Sequence, residues 1–565
     1  MTHIKETLIA ISLSLGCLTA GALPARQEIK TVAQPDGTTL NIRVVGDENL
    51  HFTISDDGRI LTQDSDGYYR LAELTPEGMV VSTGVRPEGS QTQGIGTHIT
   101  DVDFQTLREG RILSGNAPQA GLFGKKQIKR EVKTTGSPKV LVFLVEYSDV
   151  KFSTDFDVKD YFTRMMTEDD FDMFGGTGSA MQYFKEQSKG QFTPTFDVYG
   201  PVTLPENQAY YGGNYGQGWD MKAHYMVSHA AKALDSEIDF SKYDSDNDGY
   251  VDFIYVFYAG QGEHNHGGEN TVWPHAGSLS SVADFVQLDK KWLDKYACSN
   301  EMEGDKPNGL GPLVHEYSHI LGLPDLYAST EIVENRDFTP GPYSVLDYGV
   351  YNNDSRTPCN YTAYERQMLK WDTPLTLDHE MSVTLDNIAS GESGLIPTDM
   401  SSEYYLLENR QQVGWDSALP AHGLLIWHID NKVMGEGLFI NPDRDRQTVN
   451  LVEANEIEAF VEYGDGYTFP GTTGKTSFTS ETSPALRTSA GEPIDLPVTD
   501  ITEEDGMVSF DIAGGNKDVE TGIEAIGDEE IMPVYYNLQG IRVESPVEGT
   551  VLIERRGAST RKVIF

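Results

Sequence analysis

Apolar positions along the 565-residue chain change their period several times, and each change marks a different kind of element. Between residues 23 and 106 they alternate in short runs such as Leu40-Asn41-Ile42-Arg43-Val44-Val45. The turn tripeptides Pro35-Asp36-Gly37, Asp56-Asp57-Gly58 and Ser65-Asp66-Gly67 punctuate them. That texture predicts a small β-rich unit. From Lys139 the runs become continuously apolar, Val140-Leu141-Val142-Phe143-Leu144-Val145 and later Phe253-Ile254-Tyr255-Val256-Phe257-Tyr258. Such runs predict strands covered on both faces. Helical spacing lies between them, around Ala180 to Phe184 and from Met221 to Leu234, so residues 138–375 read as α+β. Short strands return beyond Trp371, as in Tyr404 to Glu408 and Gly423 to Ile429, and residues 376–515 read as a β-sandwich. A tail, 516–565, completes the chain as given.

Two segments stand outside this scheme. Residues 1–22 offer Lys5, an apolar run from Leu8 to Leu18, and the small residues Ala20-Gly21-Ala22, a secretory signal pattern. A lipoprotein cut at Cys17 is the rival, opposed by Ser14 where an aliphatic residue is wanted. No later stretch reaches the roughly 18 apolar residues that a spanning helix needs. The expectation is a secreted, cell-surface or periplasmic protein with no membrane span. Between 107 and 137 the alternation fades and Lys125, Lys126, Lys129, Arg130 and Lys133 cluster. This basic stretch reads as a linker open to proteases, or as a solvated loop never cut. It closes a β-rich 23–137 unit.

Composition then excludes several functions. Asp and Glu number 87 against 43 Lys and Arg, a formal charge of −44, which argues against nucleic-acid partners. It favours divalent cations on carboxylate loops. The 38% hydrophobic content is enough for several cores, so wholesale disorder is excluded. Three cysteines, one of them in the leader, are too few for a disulfide scaffold. Cys298 and Cys359 flank the segment described next, and either a brace between them or two buried thiols fits.

That segment is Gly311-Pro312-Leu313-Val314-His315-Glu316-Tyr317-Ser318-His319-Ile320-Leu321-Gly322-Leu323-Pro324-Asp325. Pro312 suits a first helical turn, and Leu313, Tyr317 and Ile320 form a core-facing stripe. Two histidines four apart lie about 40° around and about 6 Å along a helix, so both imidazoles can grip one zinc ion. Glu316 is then poised beside a zinc-activated water as general base. Gly322 permits a sharp exit that brings Asp325 back as third ligand, leaving one position open, as catalytic zinc sites do. Glu331 and Glu334 are the competing third ligands but stand too close to His319 for a second helix.

The stretch from His315 to Asp325 resembles the extended zinc signature of metzincins, in the variant with aspartate as third ligand. More specifically, the chain resembles the immune inhibitor A family of secreted bacterial metalloendopeptidases over most of residues 30–512, most strongly at 244–371. The resemblance implies a metzincin-like zinc peptidase domain with an N-terminal β-rich propeptide. It departs at Ser344-Val345-Leu346-Asp347-Tyr348, where Leu346 stands in place of the expected methionine. Leu and Met have similar volumes, so the metal site should still form. Tyr348 sits where related clans place a tyrosine that hydrogen-bonds the tetrahedral intermediate, although a core tyrosine fits as well. The tail motif Tyr536-Asn537-Leu538-Gln539-Gly540 resembles C-terminal segments of exported proteins, which suggests sorting or anchoring.

A second metal signal is Asp244-Ser245-Asp246-Asn247-Asp248-Gly249-Tyr250-Val251-Asp252. Asp244, Asp246, Asp248 and Asp252, with the Tyr250 carbonyl, are spaced to wrap structural Ca²⁺, although no EF-hand glutamate follows. Glu263, His264 and His266 form a further polar cluster that could line the cleft or bind metal. The 23–130 region has no cysteine, so latency through a thiolate is excluded and His98, Asp101 or Asp103 become the candidates. The reading is therefore a zinc endopeptidase acting on proteins or peptides and made as a zymogen. The alternative is a non-catalytic, calcium-stabilised adhesion protein on the same scaffold, opposed by the presence of Glu316.

Overall fold

The computed structural model describes residues 23–107, 133–327, 340–432, 441, 447–455 and 464–515, together with strands between 534 and 564, short gaps aside. The leader, the basic stretch apart from Lys133, Glu331 and Glu334 lie outside the described residues.

The N-terminal region is a meander. Strands Lys30–Ala33, Thr39–Asp47, Leu50–Ser55, Ile60–Gln63, Tyr69–Leu74 and Val80–Ser82 each pair with the next, antiparallel. One face closes over Val45, Leu50, Phe52, Ile54, Ile60, Ile99 and Phe104. The alternation in the sequence is this two-faced burial.

The central domain is built on a mixed sheet in the order His275–Ser278, Lys295–Glu303, Phe253–Gln261, Lys139–Glu146, Thr195–Thr203. All neighbours are parallel except the edge strand His275–Ser278, which runs antiparallel to Lys295–Glu303. The apolar runs follow from burial on both faces. Val140, Val142 and Leu144 enter one core with the helices Val158–Thr167, Ala180–Gln187 and Gly311–Ile320. Leu141, Phe143 and Val145 enter the other, covered by helix Tyr225–Leu234. Every residue of Gly311–Ile320 is buried, and Tyr317 stacks on Phe253 at 4.5 Å between ring centres. Its start is fixed by close approach, because a Cβ on Gly311 would lie 2.0 Å from the Val350 carbonyl oxygen.

After Trp371 come two sheets. One has the order Leu375–Thr376, Ser393–Pro397, Glu403–Arg410, Gly423–Asp430, Val449–Leu451. The other joins Met381–Leu385, Met507–Ile512 and Val498–Glu504. Strand Glu403–Arg410 serves two cores, with Tyr404 and Leu406 facing the central domain and Tyr405 and Leu407 the other side. Arg410, fully buried, pairs with Asp416 at 2.7 Å and Glu408 at 3.0 Å and donates to the Tyr343 carbonyl at 3.1 Å. That network ties the C-terminal sheet to the turn below the site helix. Residues 516–565 form a separate unit, with Val534–Tyr536, Arg542–Val543, Val551–Arg556 and Ser559–Ile564 as its described strands. Cys298 and Cys359 are both free and buried, so of the two readings the thiols hold. Among the described residues no helix is long and apolar enough to cross a membrane.

Candidate metal centre

The site helix presents His315 and His319 one turn apart, with Nε2 atoms 3.0 Å from each other. Gly322, at φ +98°, turns the chain out of the helix, and Asp325 returns with Oδ1 3.3 Å from each Nε2. Four donors around zinc at 2.0–2.1 Å stand about 3.3 Å apart in a tetrahedron, so these three atoms have the spacing of zinc ligands. Outer hydrogen bonds fix the ring tautomers. His315 Nδ1 donates to the Val345 carbonyl at 2.7 Å, and His319 Nδ1 to the Leu323 carbonyl at 2.9 Å. Each Nε2 therefore turns a lone pair toward the other and toward a carboxylate, an arrangement that calls for a cation. Burial opposes the Asp325 charge, but the adjacent imidazoles outweigh it and hold the carboxyl at about 2.

Glu316, next to His315 in the helix, is fully buried. Burial, reinforced by Asp325 and Glu48, pushes its carboxyl well above the usual range, which suits a group that must take and return a proton. Its Oε1 accepts the Leu23 main-chain N–H at 3.2 Å, while Oε2 is buried without a hydrogen bond. The segment Leu23–Arg26 is thus seated at the site. Trp273 Nε1 donates to the Leu23 carbonyl at 2.9 Å, the Tyr351 hydroxyl to the Pro24 carbonyl, and Arg26 N to the His264 carbonyl at 3.0 Å.

Other predicted residues are placed as follows. Tyr348 opens the short turn Tyr348–Tyr351, half-buried, with its ring 6.2 Å from Tyr351. Asp244, Asp246 and Asp252 converge, their ligand atoms within 4.8 Å of one another. Asp248 is outside that group, and its carboxylate accepts the Tyr250 N–H at 2.9 Å. Lys291 pairs with Asp244, and Lys133 with Asp246 at 3.2 Å. The Glu263 cluster holds the N-terminal region. His51 Nε2 meets Glu263 at 3.1 Å, and His266 Nε2 meets the Glu28 carbonyl at 3.0 Å. Burial, then Arg26, drives the His264 imidazole down to about 3, so it stays neutral. His98 caps the turn Ile99–Asp101, and Asp103 accepts from Thr106. What stands at Glu316 is Leu23. Nothing in the local sequence around Leu23 signals that seat.

Fold and cluster together have the donor set of a metal site with a buried carboxyl next to it. Residues 126–373 match the family model described as Immune inhibitor A peptidase M6, catalytic domain, and over that stretch the chain is similar to that family. Immune inhibitor A of Bacillus thuringiensis subsp. alesti is 29% identical over 227 residues, 34% of this chain and 33% of that protein. Pre-pro-metalloprotease PrtV of Vibrio cholerae serotype O1 is 27% identical over 172 residues, 26% of this chain and 19% of that protein. The matches span a third or less of these relatives. A solved structure, catalytically inactive OgpA of Akkermansia muciniphila with an O-glycopeptide, aligns at 12% identity and TM-score 0.23 over 57% of this chain and 91% of that one. A superposition that loose carries no argument.

Proposed function

We propose that the chain is a secreted zinc-dependent endopeptidase, made as a zymogen, that hydrolyses protein or peptide substrates. The reading rests on one observation, the mutual 3.0–3.3 Å spacing of His315, His319 and Asp325 donor atoms with Glu316 beside them. His315, His319 and Asp325 would hold a zinc ion, which would supply Lewis acidity and acidify a water there. Glu316 takes the proton of that water and passes it to the departing amine. Tyr348 is the candidate donor to the oxygen of the tetrahedral adduct. The domain map follows the sequence reading: signal 1–22, propeptide and linker 23–137, a metzincin-like catalytic domain 138–375, a β-sandwich 376–515, and a tail. Leu23–Arg26 at Glu316 supports the zymogen part, since a peptide there excludes substrate. Asp244, Asp246 and Asp252 form the candidate calcium site. The relatives' names, a metalloprotease among them, support the activity. The test is hydrolysis of an unfolded protein such as casein with and without chelator, alongside zinc analysis. Digestion indifferent to chelation would remove the metal from the reading.

A further inference from the structure

The seated segment also carries a side chain that the catalytic domain grips. Arg26 is buried, and its guanidinium pairs with Glu303, at the end of strand Lys295–Glu303, and with Asp354 at 2.8 Å. Glu28 of the segment itself adds a third carboxylate at 2.8 Å. The Tyr351 ring lies 5.7 Å from the guanidinium carbon. Glu303 comes from the sheet and Asp354 from the chain just past the turn Tyr348–Tyr351. The Glu303 side chain is 5% exposed, and its Oε2 is buried without a hydrogen bond. A buried carboxylate left without its cation is costly, so a vacated pocket of this kind selects a cationic guest.

Direction along the cleft follows from Glu316. The departing amine takes its proton there, so the nitrogen beside Glu316 marks the first residue on the leaving-group side of a scissile bond. Leu23 N holds that place, and Arg26 is then the fourth residue. The catalytic domain's other hydrogen bonds to the segment, from Trp273, Tyr351 and the His264 carbonyl, go to main-chain atoms, and its apolar contact is Ala25, clustered with Trp273. Arg26 is the side chain it reads by charge.

We infer that Glu303 and Asp354 form a basic-residue subsite, which takes arginine or lysine four residues to the C-terminal side of the bond cut, and that Arg26 of the propeptide fills it before activation. This rests on the peptidase reading, so the test has two arms. In the first, exchange of the amides of residues 25–28 is followed in the full chain carrying Glu316→Gln. Arg26→Gln and Glu303→Gln should each speed exchange at least about tenfold, and Arg26→Lys far less. In the second, the secreted protein is offered internally quenched peptides that differ only at that fourth position. Arginine and lysine should be preferred over alanine and glutamate by about tenfold in kcat/KM. Asp354→Asn, which suits the left-handed backbone there (φ +52°), should weaken the preference at least about threefold. Peptides cut without preference, or segment exchange unmoved by Glu303→Gln, overturn the subsite. If no peptide is cut at all, the peptidase reading falls and the exchange arm alone decides.

Discussion

His315 Nδ1 donates a 2.7 Å hydrogen bond to the main-chain carbonyl of Val345. The bond joins the site helix to the turn holding Leu346, where the family resemblance leads one to expect methionine, and it comes from backbone, not from that side chain. The ring orientation is therefore independent of residue 346. Leu346→Met should leave zinc affinity and peptide hydrolysis within about threefold, because a volume-conserving swap costs under about 1.5 kcal/mol. Zinc competition with a chromogenic chelator, read beside hydrolysis, checks it. A tenfold loss in either would give the side chain a role that the geometry denies.

Asp325 is the donor whose place in the cluster depends on a turn and not on helical spacing. Asp325→Ala leaves two imidazoles with their lone pairs opposed and no negative charge among them. Zinc affinity should fall at least about 100-fold, with hydrolysis lost unless zinc is in excess. Isothermal titration of metal-stripped protein measures the first, and full retention of zinc would exclude the aspartate as ligand.

Glu316→Gln keeps the shape of the site and removes the base. The expected result is stoichiometric zinc with hydrolysis reduced at least about 100-fold. Unchanged turnover would take Glu316 out of its assigned role.

The local elements of this molecule were legible, and the distant pairings were not. Val140 to Val145 announced a strand buried on both faces because every position is apolar, and the strand runs Lys139–Glu146. His315, His319 and Asp325 were legible because one helix and one turn bring them together. Strand Thr195–Thr203 carried no such signal. Gly200-Pro201 interrupts it, its burial does not alternate cleanly, and its pairing with Lys139–Glu146 shifts register there. The calcium spacing named four carboxylates and the Tyr250 carbonyl, and of the carboxylates Asp244, Asp246 and Asp252 converge. Leu23 meets Glu316 across 293 positions, and no periodicity encodes that. His98, Asp101 and Asp103 were chosen by chemistry alone, whereas the seat beside Glu316 is filled by main chain.

The three convergent carboxylates bear on stability. Burial, then Asp246 and Asp244, raises the Asp252 carboxyl above its ordinary range, while Lys291 and backbone N–H groups overcome burial to lower that of Asp244. Calcium would relieve the repulsion and compete with the lysines. At 100 times its dissociation constant a ligand contributes about 2.7 kcal/mol, which predicts a rise in Tm of about 2–5 °C on adding Ca²⁺. Differential scanning calorimetry reads it. Asp252→Asn should abolish the rise, and a calcium-insensitive Tm in the unsubstituted chain would reduce the loop to an acidic turn.

Acid should destabilise the fold through His275. Its Nδ1 donates to the Trp273 carbonyl at 2.7 Å and its Nε2 accepts from the Tyr296 hydroxyl at 2.9 Å, so the neutral ring is satisfied on both sides. Burial, reinforced by the nearby His224 charge and only partly opposed by the Trp273 carbonyl, lowers the pKa from 6.5 to about 4. The unfolded chain then binds more protons than the folded one between those values. Stability gained from this residue is complete above about pH 6.5 and is lost as pH falls towards 4, with an upper bound of about 3 kcal/mol. Denaturant melts at pH 7 and pH 5 measure the slope. His275→Gln should lower stability at pH 7, where the buried network is broken, and should flatten the decline between pH 6.5 and 5. An equally steep decline in the variant would move the acid sensitivity to other groups, with His264 the next to substitute.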